Sequence, residues 1–434
     1  MKIRIHEKIW QSLFQSLWEH DDIESAGILM GELAETPTGK IVVVKRVVSI
    51  PEKAYSTRKV DQISIDPVAF NRLIRPAKDN NWCVITIHTH PKTRDAWFSK
   101  ADDYGDSRLM PSIHCQIPGL LHGSMVVVRN GDVTARMFKP NGQLMEASLW
   151  RIGNTVTTAV NVSCKDESWF DRQQLALGEA GQLKLRNLRI GIVGLGGIGS
   201  LISMQLAHLG VGQLVLIDGD VVEHSNVPRI IGANKDDAGR TYKVDVAARY
   251  INNLGLSSPA EVYREYLSSE HEALVASCDV IVSCVDTHTP RALLNRYSYK
   301  YSAPLIDLGT VFRVGDTGKI VSDAGRVVIV GPGRPCLGCW GHIDSDAIRI
   351  ESMSDKEIQQ QVDGGYIEGV NVTQPSVIGF NTHVAGAGVT EILRLVTGFA
   401  GSDTPPNRLA FSFQNGVVKR NSLAAQPQCS ICGQ

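Results

Sequence analysis

The chain has 434 residues, with 44 basic and 45 acidic side chains and a formal net charge of −1. At 43% hydrophobic and 21% charged it has the make-up of a folded protein, and its length predicts two or three domains. The balanced charge gives no nucleic-acid signal, no apolar run is long enough for a membrane span, and MKIRIHEKIW lacks the apolar core of a signal peptide, so a cytoplasmic protein is expected.

Residues 1–145 read as α+β. His6–His20 carries a helical stripe of Ile9, Trp10, Leu13, Phe14, Leu17 and Trp18. Short apolar runs follow at Ala26–Met30, Ile41–Val48, Val84–Ile87 and Met125–Val128. Between them a helix is predicted over Asp66–Lys78, because Asp66-Pro67 supplies an N-cap and a first-turn proline. Residues 146–168 lack strong periodicity and end in a polar stretch, which predicts a linker. Residues 169–434 read as α/β: strands at Leu188–Val193, Leu214–Asp218 and Asp279–Val285 alternate with helices at Ser200–Leu209 and Pro290–Tyr301. That alternation implies a doubly wound parallel sheet. Near the end, Gln414-Asn415-Gly416 between two apolar runs signals a hairpin.

In the first segment, His88-Thr-His90-Pro91 follows the strand Val84–Ile87. Residues i and i+2 of a strand share a face, so both imidazoles can reach one metal. Ser99-Lys-Ala-Asp102 supplies a third, oxygen ligand at the start of a helix. Three protein ligands plus water is the pattern of a catalytic zinc, and Glu24 upstream could serve as general base. These residues resemble the JAMM (MPN+) metallopeptidases, over roughly residues 1–140. The resemblance implies hydrolysis of peptide or isopeptide bonds after ubiquitin-like proteins, with His88, His90 and Asp102 as zinc ligands, Glu24 as base and Ser99 as oxyanion stabiliser. The stretch from Pro91 to Ser99 is one residue longer than the family's usual spacing, which leaves Asp103 as a competing ligand. His114 and His122 read as ordinary residues.

In the second segment, Gly194-Leu-Gly196-Gly197-Ile-Gly199 is G-x-G-x-x-G between a strand and a helix. Such glycines let backbone approach phosphates, and the helix N-terminus offers N–H donors. Asp218 ends the next strand, where an acid can bind a ribose hydroxyl. Taken alone this favours a dinucleotide site, and an NAD-dependent oxidoreductase stays open. Asp220, Asn226, Arg229, Lys243 and Asp286 shift the balance: cations suit a triphosphate, and Asp286 could hold Mg²⁺.

The string resembles the ThiF/MoeB/HesA adenylyltransferases, relatives of ubiquitin-activating enzymes. The match runs through Arg172-Gln173, Leu177-Gly178, Gly181-Gln182, the Gly-rich loop, Asp218-x-Asp220, Ser225-Asn226-x-x-Arg229, Lys243, Asp286 and Cys429-x-x-Cys432-Gly433-Gln434. It implies adenylation, with ATP and Mg²⁺, of the C-terminal glycine of a ubiquitin-like or sulfur-carrier protein. It also implies a homodimer in which Arg172 reaches the partner's ATP. By motif, Asp218 binds ribose, Asn226, Arg229 and Lys243 contact phosphates, and Asp286 acts with Mg²⁺.

The nine cysteines, with no export signal, argue against a disulfide framework. Cys336-x-x-Cys339 and Cys429-x-x-Cys432 can each hold two corners of a structural Zn²⁺, whereas a redox C-x-x-C would need one pair only. Cys278 and Cys284 read as core residues. Many ubiquitin-activating relatives carry a nucleophilic cysteine after the first zinc pair, but residues 340–428 contain none, and Gly364–Pro375 has none to offer. Adenylate formation without a thioester on this chain is therefore expected, with Cys164 the remote exception. The leading expectation is a bifunctional enzyme that activates and cuts after a ubiquitin-like protein, with a conjugating enzyme or a sulfurtransferase as a further partner. The alternatives are a sulfur-carrier adenylyltransferase of cofactor or cysteine synthesis, and a scaffold that only binds.

Overall fold

The computed structural model describes residues 1–20, 22–158, 168–363, 375–401 and 407–433. The chain divides into two compact units, 1–161 and 162–434.

In the first unit the elements run β1 (Lys2–His6), α1 (Glu7–Leu17), β2 (Ala26–Thr36), β3 (Gly39–Ser49), β4 (Tyr55–Arg58), β5 (Ile63–Ile65), α2 (Pro67–Leu73), α3 (Arg75–Asn80), β6 (Cys83–Thr89), α4 (Lys100–Gln116), β7 (His122–Val127), β8 (Val133–Phe138), β9 (Leu144–Ile152) and β10 (Val156–Thr158). Eight strands form one sheet in the order β1-β3-β2-β6-β7-β8-β9-β10, and β1 also pairs with β9, closing that order on itself. One face buries Trp10, Leu13 and Leu17 of α1 against Ile3, Leu29, Ile85 and Met125. The other buries Phe70, Ile74, Met110 and Ile113 against Ile28, Met30 and Val84.

Two expectations change here. The helix predicted over Asp66–Lys78 is two helices, because Pro76 has no N–H to continue the first and its ring crowds the preceding turn. The N-cap holds, with Asp66 Oδ1 accepting from the Ala69 N–H at 2.8 Å. The linker expected from residue 146 does not begin there: 144–152 is a strand paired in parallel with β1, and 156–158 adds another strand to it. Its alternation is weak because Leu149, Trp150 and Ile152 are all buried, so both faces of its end are covered. Residues 159–167, with Cys164, lie outside the described residues.

The second unit runs α5 (Asp171–Arg186), β11 (Arg189–Val193), α6 (Gly197–His208), β12 (Gln213–Ile217), α7 (Lys243–Leu254), β13 (Glu261–Tyr263), α8 (Glu272–Ser277), β14 (Val280–Ser283), α9 (His288–Lys300), β15 (Leu305–Val314), β16 (Ile320–Val330), α10 (Ser345–Glu351), α11 (Asp355–Asp363), α12 (Ile378–Thr397), β17 (Arg408–Ser412) and β18 (Val417–Asn421). The sheet order is β13-β12-β11-β14-β15-β16-β17-β18. The first five strands are parallel and the last three are added antiparallel. The strand order reverses between β11 and β14, the crevice where doubly wound sheets bind ligands. Gly178, at φ +72°, is non-helical and kinks α5. The cysteine-free stretch at 364–374 lies outside the described residues. Among the described residues no helix is long and apolar enough to cross a membrane.

Candidate sites in each unit

In the first unit, His88 sits near the end of β6, and His90 lies just past it, its N–H held by the Val127 carbonyl at 3.1 Å. Asp102 reaches both from the first turn of α4: His88 Nε2 is 2.9 Å from Oδ1 and His90 Nε2 is 3.5 Å from Oδ2. The two Nε2 atoms are 3.2 Å apart. A tetrahedral zinc with Zn–N bonds of about 2.05 Å spaces its ligand nitrogens by about 3.3 Å, so the donor set fits that ion. The three residues converge as a candidate metal cluster.

Ser99 and Asp102 form a capping box. Asp102 Oδ2 accepts from the Ser99 N–H at 2.6 Å, and Ser99 Oγ accepts from the Asp102 N–H at 3.2 Å. The cap fixes Asp102 toward the histidines, and the Ser99 side chain also supports its carboxylate. Burial alone would raise the Asp102 carboxyl, but hydrogen bonds from His88 and His90 outweigh it and hold it well below the usual range. Asp103 is not the ligand in this arrangement. It turns to Arg136, with Oδ1 2.6 Å from Nη1, because consecutive helix residues point about 100° apart.

Glu24 lies just before β2, whose Ala26 pairs with His88. Its backbone is clamped. Its N–H donates to the Lys59 carbonyl at 3.0 Å, its carbonyl accepts from Arg58 Nε at 3.1 Å, and Ser25 exchanges two 2.9 Å hydrogen bonds with Thr89. Only 8% exposed, Glu24 has its carboxyl raised chiefly by burial, against the pull of His88 and His90. The sequence reading missed Trp97. Its indole is half-exposed and meets His90 edge-on at 5.8 Å. His122 is a core residue, as read. It accepts from the Val84 N–H at 3.0 Å and lies 2.9 Å from the Ile117 carbonyl, with burial pushing it down to about 4.

In the second unit, the Gly-rich loop leaves β11 and enters α6 with Gly196 at the N-cap. Gly194, at φ +88°, brings the loop against the Cys284 carbonyl, 2.7 Å from where a Cβ would stand. A Cβ on Gly199 would collide with the Gly194 carbonyl, and one on Gly197 with Asn381 Nδ2. Asn381 lies on α12 and is fully buried, held by Thr310 at 3.3 Å and Ser376 at 3.0 Å. No local motif marked it.

Asp218 stands one residue past β12. Its Oδ2 accepts from the Leu195 N–H at 2.6 Å and its Oδ1 from the Asp220 N–H at 2.8 Å. Burial raises its carboxyl against these bonds and the charge of Lys243. Lys243 opens α7 with Nζ 2.6 Å from Asp220 Oδ2. Asn226 Oδ1 accepts from the Glu223 N–H at 3.2 Å, and Arg229 Nη1 donates to the Ser225 carbonyl at 3.2 Å. Asp286 lies three residues beyond the end of β14. Beneath it Arg291 Nη2 donates to the Val285 carbonyl at 2.7 Å, while Arg291 Nε is 3.1 Å from the buried Asp307, which also meets Arg326 and Ser283. Asp218, Asp220 and Lys243 are thus gathered just past the end of β12, with the Gly-rich loop joined through Asp218. Arg172 is exposed on the first turn of α5.

The four zinc-pair cysteines also converge. Sγ separations are 3.7 Å for Cys336–Cys339, 3.7 Å for Cys336–Cys429 and 3.5 Å for Cys339–Cys432. Zn–S bonds of about 2.3 Å imply edges of about 3.8 Å, so the set fits a tetrahedral Zn²⁺. Asn295 of α9 anchors the first pair by accepting from the Leu337 N–H at 2.9 Å.

Geometry therefore defines a protein with a candidate metal site on its α+β unit and a candidate nucleotide cleft on a doubly wound unit. Residues 170–431 match the ThiF family, and residues 6–139 match prokaryotic homologs of the JAB domain; the chain belongs to the ThiF family and carries a JAB-type domain ahead of that unit. It is 29% identical over 273 residues to an adenylyltransferase and sulfurtransferase uba4 of Aspergillus clavatus (61% of this chain, 51% of the relative). It is 31% identical over 270 residues to the uba4 protein of Aspergillus fumigatus (61% and 51%), and 29% identical over 269 residues to the adenylyltransferase and sulfurtransferase MOCS3 of Mus musculus (61% and 52%). The chain spans about half the length of the curated relatives it matches. Among solved structures, E. coli MccB with MccA-N7isoASN aligns at 20% identity and a TM-score of 0.49, over 63% of this chain and 76% of that one.

Proposed function

We propose that the second unit adenylates the C-terminal glycine of a ubiquitin-like protein with ATP and Mg²⁺, and that the first unit hydrolyses peptide or isopeptide bonds after such a protein. The observation that carries the first half is the convergence of Asp218, Asp220 and Lys243 beside the Gly-rich loop in a chain of the ThiF family. A carboxylate oxygen of the terminal glycine attacks the α-phosphorus, and pyrophosphate leaves. Arg229 and Lys243 neutralise the phosphates, Asn226 orients them, Asp218 holds the ribose, and Asp286 is the carboxylate available to Mg²⁺, which supplies further charge neutralisation. No side-chain nucleophile is required. Arg172 completes the partner's site in a homodimer, and the protein acts in the cytoplasm.

In the first unit, His88, His90 and Asp102 would hold a zinc ion, which supplies an acidified water. Glu24 would serve as the general base, and Ser99 would turn its hydroxyl to the developing oxyanion. The four cysteines hold a second, structural zinc.

The decisive experiment is ATP–pyrophosphate exchange that depends on a glycine-ended ubiquitin-like protein; ATP binding without exchange would leave a scaffold. A second reading, adenylation of a sulfur carrier, is favoured by one observation: the relatives are named adenylyltransferase and sulfurtransferase. The absence of cysteine from residues 340–428 suits either acceptor. Thiocarboxylate on the product selects the sulfur route, and amide-linked conjugates select modification. A reducing-agent-sensitive adduct on this chain would overturn the absence of a thioester.

A further inference from the structure

Tyr266 has no part in the motifs above, yet it is fixed in an unusual way. It lies three residues past β13, the strand beside β12, on the side away from the Gly-rich loop. In a doubly wound sheet the phosphates sit at the loop after the first strand, and the nucleoside extends past the acid that follows the second. That acid is Asp218, so Tyr266 stands at the nucleoside end. A Cβ on Gly219 would come within 3.1 Å of its ring, so the ring lies directly over the turn between Asp218 and Asp220. Its hydroxyl donates to Asp220 Oδ1 at 2.5 Å, while Asp220 Oδ2 holds Lys243 at 2.6 Å. Despite this anchoring the residue is 71% exposed, leaving the outer ring face open.

A tyrosine that is mostly solvent-exposed but tethered at its hydroxyl and seated on a glycine presents a rigid aromatic platform. Such a platform gains from stacking on a nucleobase. We infer that Tyr266 is a nucleotide-positioning residue with two separable parts: the ring stacks the base of the bound nucleotide, and the hydroxyl aligns Asp220 and, through it, Lys243. Asp220 is then an aligner of Lys243, both of its oxygens being engaged within the protein. The inference rests on the adenylation reading for its second part only, since base stacking needs nothing beyond nucleotide binding.

The test uses the full chain with ATP and Mg²⁺, reading Kd by calorimetry and KM and kcat by pyrophosphate exchange. Tyr266→Ala should raise the Kd for ATP about tenfold. Tyr266→Trp should restore most of that affinity, because it keeps a stacking face, but should not restore kcat. Tyr266→Phe should leave Kd within about twofold of the parent while lowering kcat several-fold, because only the Asp220 bond is lost. An unchanged Kd in Tyr266→Ala overturns the stacking role, and an unchanged kcat in Tyr266→Phe overturns the aligning role. If the parent binds ATP but catalyses no exchange, the adenylation reading and the aligning role fall while the Kd series still decides the ring; if the parent binds no ATP, both fall together.

Discussion

The Leu195 N–H donates to Asp218 Oδ2 at 2.6 Å, which ties the Gly-rich loop to the end of the neighbouring strand. One buried carboxylate thus shapes the loop through one oxygen and holds the turn after β12 through the other, which accepts from the Asp220 N–H. Asp218→Ala should therefore weaken ATP binding about tenfold or more, since a charge-assisted bond and a loop anchor are lost together. Calorimetry with ATP and Mg²⁺ checks this, and affinity equal to the parent would remove Asp218 from the nucleotide site.

Lys243 is the cation placed at the Asp218 side of the cleft, on the N-terminus of α7, and Asp220 holds it in place. Lys243→Ala should lower pyrophosphate exchange by about a hundredfold to a thousandfold, the usual loss when a preorganised charge at a developing anion is removed. Binding should change far less than kcat, because the charge matters most as pyrophosphate departs. Equal losses in binding and turnover would instead mark Lys243 as a ground-state contact.

Glu24, proposed as the general base, lies outside the candidate metal cluster of His88, His90 and Asp102, and burial raises its carboxyl. Glu24→Gln keeps its shape and the Arg58 clamp on its backbone. Hydrolysis of a linear ubiquitin-like fusion should fall by about a hundredfold to ten-thousandfold, with zinc content unchanged. Loss of zinc in this variant would show that Glu24 acts on the metal instead.

The residue sets of the two candidate sites were legible because their motifs are local in sequence. His88-Thr-His90 needs only a strand to share a face, Ser99-x-x-Asp102 only one helical turn, and G-x-G-x-x-G only a strand-to-helix turn. The cysteine pairs were legible as pairs, and their meeting followed from chemistry rather than position. Tertiary relationships were not. Asn381 reaches Gly197 from a helix near the far end of the chain, Tyr266 reaches Asp220 from the next strand, and Arg58 clamps Glu24 from another sheet. None of these has a fixed spacing to its partner. The first domain ran past residue 145 for the same reason. The strand at Leu144–Ile152 is specified by a parallel partner at the N-terminus, which periodicity within the segment does not reveal.

Asp237 gives a pH-dependent stability signal free of both sites. It is buried, caps a short turn and takes two bonds from Arg249, at 2.9 and 2.8 Å. Arg249 holds its carboxyl down to about 2 from the ordinary 3.8. Its stabilisation is thus fully present above pH 4 and is lost as pH falls through about 2. The shift corresponds to about 2.5 kcal/mol at full strength, and the partial exposure of Arg249, 43%, reduces the expectation to about 1 kcal/mol. Urea midpoints for Asp237→Asn and the parent should differ at pH 6 and converge near pH 2; a constant difference would place the effect on packing instead.

The cysteine cluster makes the most separable metal prediction. Cys336 and Cys339 follow β16, whereas Cys429 lies 93 residues beyond Cys336, so a shared ion would clasp segments distant in sequence. The backbone N–H groups of Cys432 and Ile431 push the Cys429 thiol down to about 6, which makes a thiolate available at neutral pH. Zinc bound here should be released in acid, below the thiol's own metal-free range, because protons then compete with the ion for the sulfur. Cys432→Ser should remove one zinc equivalent and lower the melting temperature while leaving the second equivalent bound. His88→Ala should remove that second equivalent with little effect on the stability of the cysteine-bearing unit. Metal analysis of the two single variants and the double variant separates the sites, and the losses should add because the residues share no ligand. Unchanged zinc in Cys432→Ser would sink the tetrahedral assignment, even though the sulfur spacing fits it.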